Sequence, residues 1–267
     1  MTLLKHCYFR ILAAFIFFTR LPFWRLAEVP KEYYERVVPL WPLVGWLTGG
    51  CMALTYGLAS CIFPPTVSLV LTLLVRILMT GALHEDGLAD VCDGFGGGIT
   101  REQTLRIMKD SHIGTYGVLG LVLYFLLTLA ILYGLADSED ADPQSMSRIP
   151  FLLFCADPCA KYLSSHIVNV LPYARKEEEA KNKLVYSRTP WAEELAGLCF
   201  GLVPTFLLLP YRHWLCIPAA ALCTLFLFRL YSKKIQGYTG DCCGACFLLT
   251  ELVYLLASLA LTRICIL

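Results

Sequence analysis

Residues 83–98 read LHEDGLADVCDGFGGG and hold four carboxylates, Glu85, Asp86, Asp90 and Asp93, with no Lys or Arg among them. Asp86, Asp90 and Asp93 stand at i, i+4 and i+7, a spacing that puts all three on one face of a helix. Carboxylates stacked in this way repel one another, and a divalent cation is the natural partner. All-oxygen ligation favours Mg²⁺ or Mn²⁺, and Mg²⁺ typically joins a few carboxylates to substrate phosphates. The glycines at 94 and 96–98 let a ligand approach the backbone closely. The structural alternative is a solvated acidic helix end.

Further groups able to do chemistry lie elsewhere along the chain. The stretch RIMKDSHIGTYG, 106–117, offers Asp110 as a fourth metal ligand and Arg106 and Lys109 as partners for phosphate oxygens. Cations there also suit a plain anchor at the end of a membrane span. In QGYTGD, 236–241, glycines flank Thr239 and suggest a loop folding over a ligand, with Asp241 as a further carboxylate. Asp157, Lys161, His166 and Glu251 fall inside apolar runs, where an ionisable side chain is a functional candidate by default. Asp157 and Lys161 are four apart, so a structural ion pair is the alternative for them. Arg20, within FFTRLPFW, either snorkels to the membrane interface or binds an anionic substrate.

The elements that must position these residues are membrane helices. Hydrophobic residues make up 57% of the 267-residue chain and charged residues 16%, with a mean hydropathy of +0.62. Several runs reach the roughly twenty apolar residues that cross a bilayer. Seven spans are expected, at 37–63, 66–83, 113–135, 149–171, 194–210, 214–231 and 244–266, giving an all-α, polytopic bundle in one membrane-embedded domain over 1–267. The run at 9–24 is short and suits the interface, and no small-residue cleavage site follows it. With seven crossings, one side holds 1–36, 84–112, 172–193 and 232–243, which carry 16 of the 22 Lys and Arg. The positive-inside rule makes that side cytoplasmic, and the acidic stretch 83–98 faces it. No basic run points to nucleic acid. The 13 cysteines lack framework spacing; Cys242, Cys243 and Cys246 are read as buried thiols rather than a metal site.

Asp90 to Gly94, DVCDG, shares Asp-x-x-Asp-Gly with the CDP-alcohol phosphotransferases, but the Ala-Arg that continues their pattern is missing. A transporter is the reading from another class and would need the intramembrane charges to line a path. The full set of motifs resembles the cobalamin synthase, or adenosylcobinamide-GDP ribazoletransferase, family much more closely. It rests on FFTRLP (17–22), HEDGLADVCDG (84–94), RIMKDSHIGTYG (106–117), PYAR (172–175), TGD (239–241) and ELVYLL (251–256), in the family's order along nearly the whole chain. The departures are Glu85 for a usual Leu, His112 and Lys161 for usual Arg, and Leu248 for a usual Glu.

The resemblance implies transfer of adenosylcobinamide phosphate from adenosylcobinamide-GDP to α-ribazole or its 5′-phosphate, releasing GMP, at the cytoplasmic membrane of a bacterium or archaeon. It implies Mg²⁺ held by Asp86, Asp90, Asp93 and Asp110, and a general base at Asp93 or Asp110, with His84 as the next candidate. Arg20, Arg106, Lys109 and Lys161 would hold anionic oxygens, and Thr239 and Asp241 would contact substrate. Membrane lipid is the other expected partner, and self-association is left open.

Overall fold

The computed structural model describes residues 3–139, 147–175 and 189–264. The core of the acidic loop after residue 139 and the basic residues of 176–188 therefore lie outside the described residues. Eleven α-helices follow one another among the described residues: α1 (Leu3–Phe18), α2 (Trp41–Ala59), α3 (Pro65–Thr80), α4 (Leu83–Gly97), α5 (Arg101–Ile107), α6 (Thr115–Glu139), α7 (Ile149–Ser165), α8 (Ile167–Val170), α9 (Trp191–Leu208), α10 (Cys216–Ile235) and α11 (Gly240–Ile264).

Each of the seven expected spans is occupied by a helix. Five stretches are long and apolar enough to cross a membrane: Val38–Ala59, Thr115–Ser138, Trp191–Leu208, Tyr211–Ile235 and Gly240–Ile264. α3 and α4 reach that length and hydropathy only as a pair bent by 91°, a broken span or a re-entrant loop. The seventh, α7, has 17 residues, or about 25 Å of helix, shorter than a standard span. It packs at the centre of the bundle against α2, α9 and α11. The chain is a multi-pass helical membrane protein.

The bend sits where sequence alone suggests one continuous run ending at 83. Gly81 takes the left-handed conformation (φ 65°) and closes α3, the usual way a helix ends. Ala82 follows with φ 57°, which costs a Cβ-bearing residue about 1–2 kcal/mol. Two consecutive left-handed residues turn the chain away from the α3 axis, so α4 starts afresh with Glu85 and Asp86 in its first turn, where the helix dipole favours anions.

α4 then packs along α11 at backbone range. A Cβ on Gly87 would lie 2.8 Å from the Asp241 carbonyl oxygen, so only glycine lets α4 and the α11 N-terminus approach this closely. At the same end of the bundle, Arg101 donates from Nε to Ile235 O (2.9 Å) and from Nη2 to Ala174 O (2.6 Å). Tyr173 and Tyr238 form an isolated parallel bridge, with Ala174 N–H donating to Tyr238 O (2.8 Å) and Tyr238 N–H to Pro172 O (2.9 Å). Arg10 adds the N-terminal helix to this end through both oxygens of Glu193 (2.5 and 2.6 Å). The connections after α4, α8 and α10 thus meet in one cluster.

Candidate active site

Two adjoining cavities open in this cluster. The first, about 200 Å³, is lined by Phe17, Phe18, Trp41, His84, Asp86 and Asp241, among others, and by Tyr173 and Arg175. The second, about 610 Å³, is lined by Arg101, Glu102, Arg106 and Lys109 together with the same Tyr173 and Arg175. One cavity is therefore aromatic and acidic, the other basic, and they meet at one tyrosine and one arginine.

The α4 acids divide by environment. Asp86 is exposed and lines the first cavity, and Asp90 is half-buried one turn further along the same face. Asp93 is only 9% exposed because both of its oxygens take backbone N–H groups at the start of α6, from Gly114 (2.7 Å) and Gly117 (2.8 Å). A carboxylate on those otherwise unpaired donors holds α6 to α4. Asp110 is exposed and bound to His112, whose backbone N–H and ring nitrogen lie 3.0 and 2.7 Å from Asp110 Oδ1. Those hydrogen bonds hold the Asp110 carboxyl below its ordinary value.

The expected four-aspartate cluster is thus not assembled. Among the described residues no three His, Cys, Asp or Glu side chains are grouped closely enough to hold a metal ion. The physical reason is that Asp93 is drawn onto the α6 N-terminus and Asp110 onto His112. Two carboxylates at i, i+4 still fit Mg²⁺, which commonly keeps several waters and uses one or two carboxylates plus substrate phosphates. Cys242, Cys243 and Cys246 are buried, free thiols.

His84, 2% exposed, lies among Phe247, Trp41 and Phe18, with ring centroids 4.8, 5.5 and 6.5 Å away. Its Nε2 is buried with no hydrogen-bond partner among the described residues. Asp241 sits in the first turn of α11, 3.8 Å from Arg175 Nη2. Thr239 is fully buried, and its hydroxyl takes the Cys242 N–H (3.4 Å) and donates to Asp241 Oδ2 (3.3 Å). It orients the α11 N-terminus and lines neither cavity.

Arg106 and Lys109 line the basic cavity, as their sequence context suggests. Arg20 does not reach either cavity; its side chain lies against Gly81 at the α3–α4 bend. Lys161 is fully buried, donating to Thr48 Oγ1 (2.6 Å) and to Asp157 Oδ1. The ion-pair alternative is the one the structure adopts, and Lys161 is kept from both cavities.

A second buried pair lies beside it. Arg76, from α3, donates to Glu251 Oε2 and to the Tyr124 hydroxyl (2.6 Å), and stands 3.7 Å from Glu85 Oε1. Lys161 Nζ and the Arg76 guanidinium lie 4.7 and 6.0 Å from the centre of the Phe247 ring, within cation–π reach. Asp157, Lys161, Arg76 and Glu251 therefore pair within the bundle rather than stand in line along a path. Glu85 is 4% exposed; it faces the core, one residue from the exposed Asp86.

Sequence reasoning missed Arg175, Tyr173, Phe17, Phe18 and Trp41 as cavity residues. Arg175 is 9% exposed, its Nε is buried without a partner among the described residues, and its Nη2 donates to Leu105 O (3.4 Å). Burial pushes the Tyr173 phenol up from its ordinary value, keeping it a neutral donor. The PYAR stretch was a signal for both.

Residues 10–259 match the family described as cobalamin-5-phosphate synthase. The adenosylcobinamide-GDP ribazoletransferase of Shewanella amazonensis is 38% identical over 255 residues, 94% of each chain. Relatives of the same name from Leptospira interrogans (33% over 254 residues, 92% of this chain and 93% of the relative) and Vibrio cholerae (34% over 255 residues, 93% and 92%) match over a similar length. No solved structure matches. The family match spans every residue that lines the two cavities, and the relatives cover nearly the whole chain: the chain belongs to the cobalamin-5-phosphate synthase family.

Proposed function

We propose that this protein is an adenosylcobinamide-GDP ribazoletransferase acting at the cytoplasmic end of the bundle. One observation carries the reading of the site: Asp86 from α4, Arg175 from the loop after α8 and Asp241 from α11 line a single cavity, although they come from three separate motifs. A ribose hydroxyl of α-ribazole forms a new P–O bond to the phosphorus on the cobinamide side of the diphosphate. The bond from that phosphorus to the bridging oxygen breaks, its electron pair leaves with GMP, and the hydroxyl proton passes to a base.

Of the three candidate bases, only His84 lines the cavity, and its unpartnered Nε2 is suited to take that proton. Asp86 and Asp90 are the groups that would hold Mg²⁺, with Asp93 fixing α4 against α6. When bound there, Mg²⁺ would neutralise diphosphate oxygens and the charge that develops on the departing phosphate. Arg175, Arg106 and Lys109 hold phosphate oxygens through charge-assisted hydrogen bonds. The excess of Lys and Arg on the connections at this end supports a cytoplasmic orientation.

The test is GMP release by the purified protein in bilayers. GMP is expected only when adenosylcobinamide-GDP, α-ribazole and Mg²⁺ are all present, in equal amount with the corrinoid product. No GMP with any divalent metal, using either α-ribazole or its 5′-phosphate as acceptor, would remove this reading.

A further inference from the structure

Resting on the transferase reading, we infer that the two cavities sort the substrates: the aromatic cavity takes the nucleoside of α-ribazole, and the basic cavity takes the diphosphate arm of adenosylcobinamide-GDP. Size supplies the first reason. At about 200 Å³, the aromatic cavity is smaller than the ~300–1,000 Å³ typical of pockets for drug-sized ligands. It suits a flat fused-ring base with part of its ribose and excludes a corrin macrocycle.

Lining chemistry supplies the second reason. Phe17, Phe18 and Trp41 offer ring faces and edges for a base, and Phe18 and Trp41 are themselves stacked at 5.1 Å. The carboxylate of Asp241 and the unpartnered Nε2 of His84 are hydrogen-bond acceptors suited to ribose hydroxyls. Uncharged α-ribazole enters between such groups without repulsion. The basic cavity instead carries Arg101, Arg106, Lys109 and Arg175 against one acid, Glu102, and favours the anionic diphosphate.

The junction supplies the third. Tyr173 and Arg175 line both cavities, and Arg175 is nine-tenths buried with Nε unpartnered among the described residues. A hydroxyl presented from one side and a diphosphate from the other would meet at this guanidinium, which makes Tyr173 and Arg175 positioning groups for both substrates. Phe17 then sets acceptor recognition, and Arg106 and Lys109 set donor recognition.

Steady-state kinetics on the bilayer-embedded protein test the assignment. Phe17→Ala is expected to raise KM for α-ribazole about tenfold while KM for adenosylcobinamide-GDP stays within about twofold. Arg106→Gln with Lys109→Gln should do the converse, by about tenfold or more for the GDP substrate. A measurement on the unaltered protein guards against misfolded variants: higher ionic strength should raise KM for adenosylcobinamide-GDP and leave that for α-ribazole unchanged. Absence of GMP release in the unaltered protein would defeat the transferase reading itself. An active protein in which the dependences are exchanged, or in which both KM values move together in each variant and with salt, would overturn the sorting alone.

Discussion

Asp86→Asn is expected to lower the rate of GMP release on the order of 10²–10³-fold, while the folded protein stays in the membrane in normal amount. Asn keeps the shape of the side chain and removes its charge. Asp86 is exposed on α4 and lines the aromatic cavity, so the loss falls on substrate and metal contacts rather than on packing. Exposed substitutions of this kind usually change stability by no more than about 0.5 kcal/mol. Turnover measured with both substrates saturating, beside a melting curve of the same sample, checks the expectation. A near-normal rate, or a loss that follows a lower melting temperature, would move the chemistry away from the α4 acids.

The largest effect on stability is expected at Arg76. It is 1% exposed and faces Glu251, Glu85 and the Tyr124 hydroxyl inside the bundle. Arg76→Met leaves the two carboxylates buried without their cation, which costs about 3–5 kcal/mol when one partner of a buried pair is removed. Removing the carboxylates as well, as Arg76→Met with Glu85→Leu and Glu251→Met, should recover much of that loss, because apolar replacement of a whole buried charge group is often close to neutral. Melting temperatures in detergent measure both steps. An Arg76→Met protein that melts like the unaltered one would mean that this cluster contributes nothing to the bundle.

The helices were legible in the sequence because apolar runs of span length fix them, and each expected span is occupied. The bend between α3 and α4 was harder to read, since it depends on two left-handed residues, and nothing marks Ala82 as one of them. That bend decides the fate of Glu85. In sequence it is the acid off the Asp86–Asp90–Asp93 face. In the fold it points inward, 3.7 Å from Arg76. At 248 this chain buries a leucine on α11, while Glu85 supplies a buried carboxylate from α4, which packs against α11.

The site was legible in part. The i, i+4, i+7 pattern correctly marks one helical face, but helix spacing cannot tell which carboxylate the next helix will claim. Asp93 meets the α6 N-terminus through Gly114 and Gly117, a contact between positions more than twenty residues apart. The PYAR stretch marked Arg175 and Tyr173, but their position between the cavities was hidden for the same kind of reason. Their place between the cavities depends on the bridge to Tyr238 and on Arg101 reaching Ala174 O and Ile235 O, and no local pattern announces such pairings.

In the proposed reaction, phosphoryl transfer takes place on the carboxylate face of α4, with Asp86 as a ligand of the divalent ion. The most direct measurement is GMP release by Asp86→Cys in Mg²⁺ compared with Cd²⁺, since a thiolate is a poor partner for Mg²⁺ and a good one for a soft cation. The account predicts almost no release in Mg²⁺ and clear recovery in Cd²⁺, with the unaltered protein showing the opposite preference. A full rate for Asp86→Cys in Mg²⁺ would contradict it.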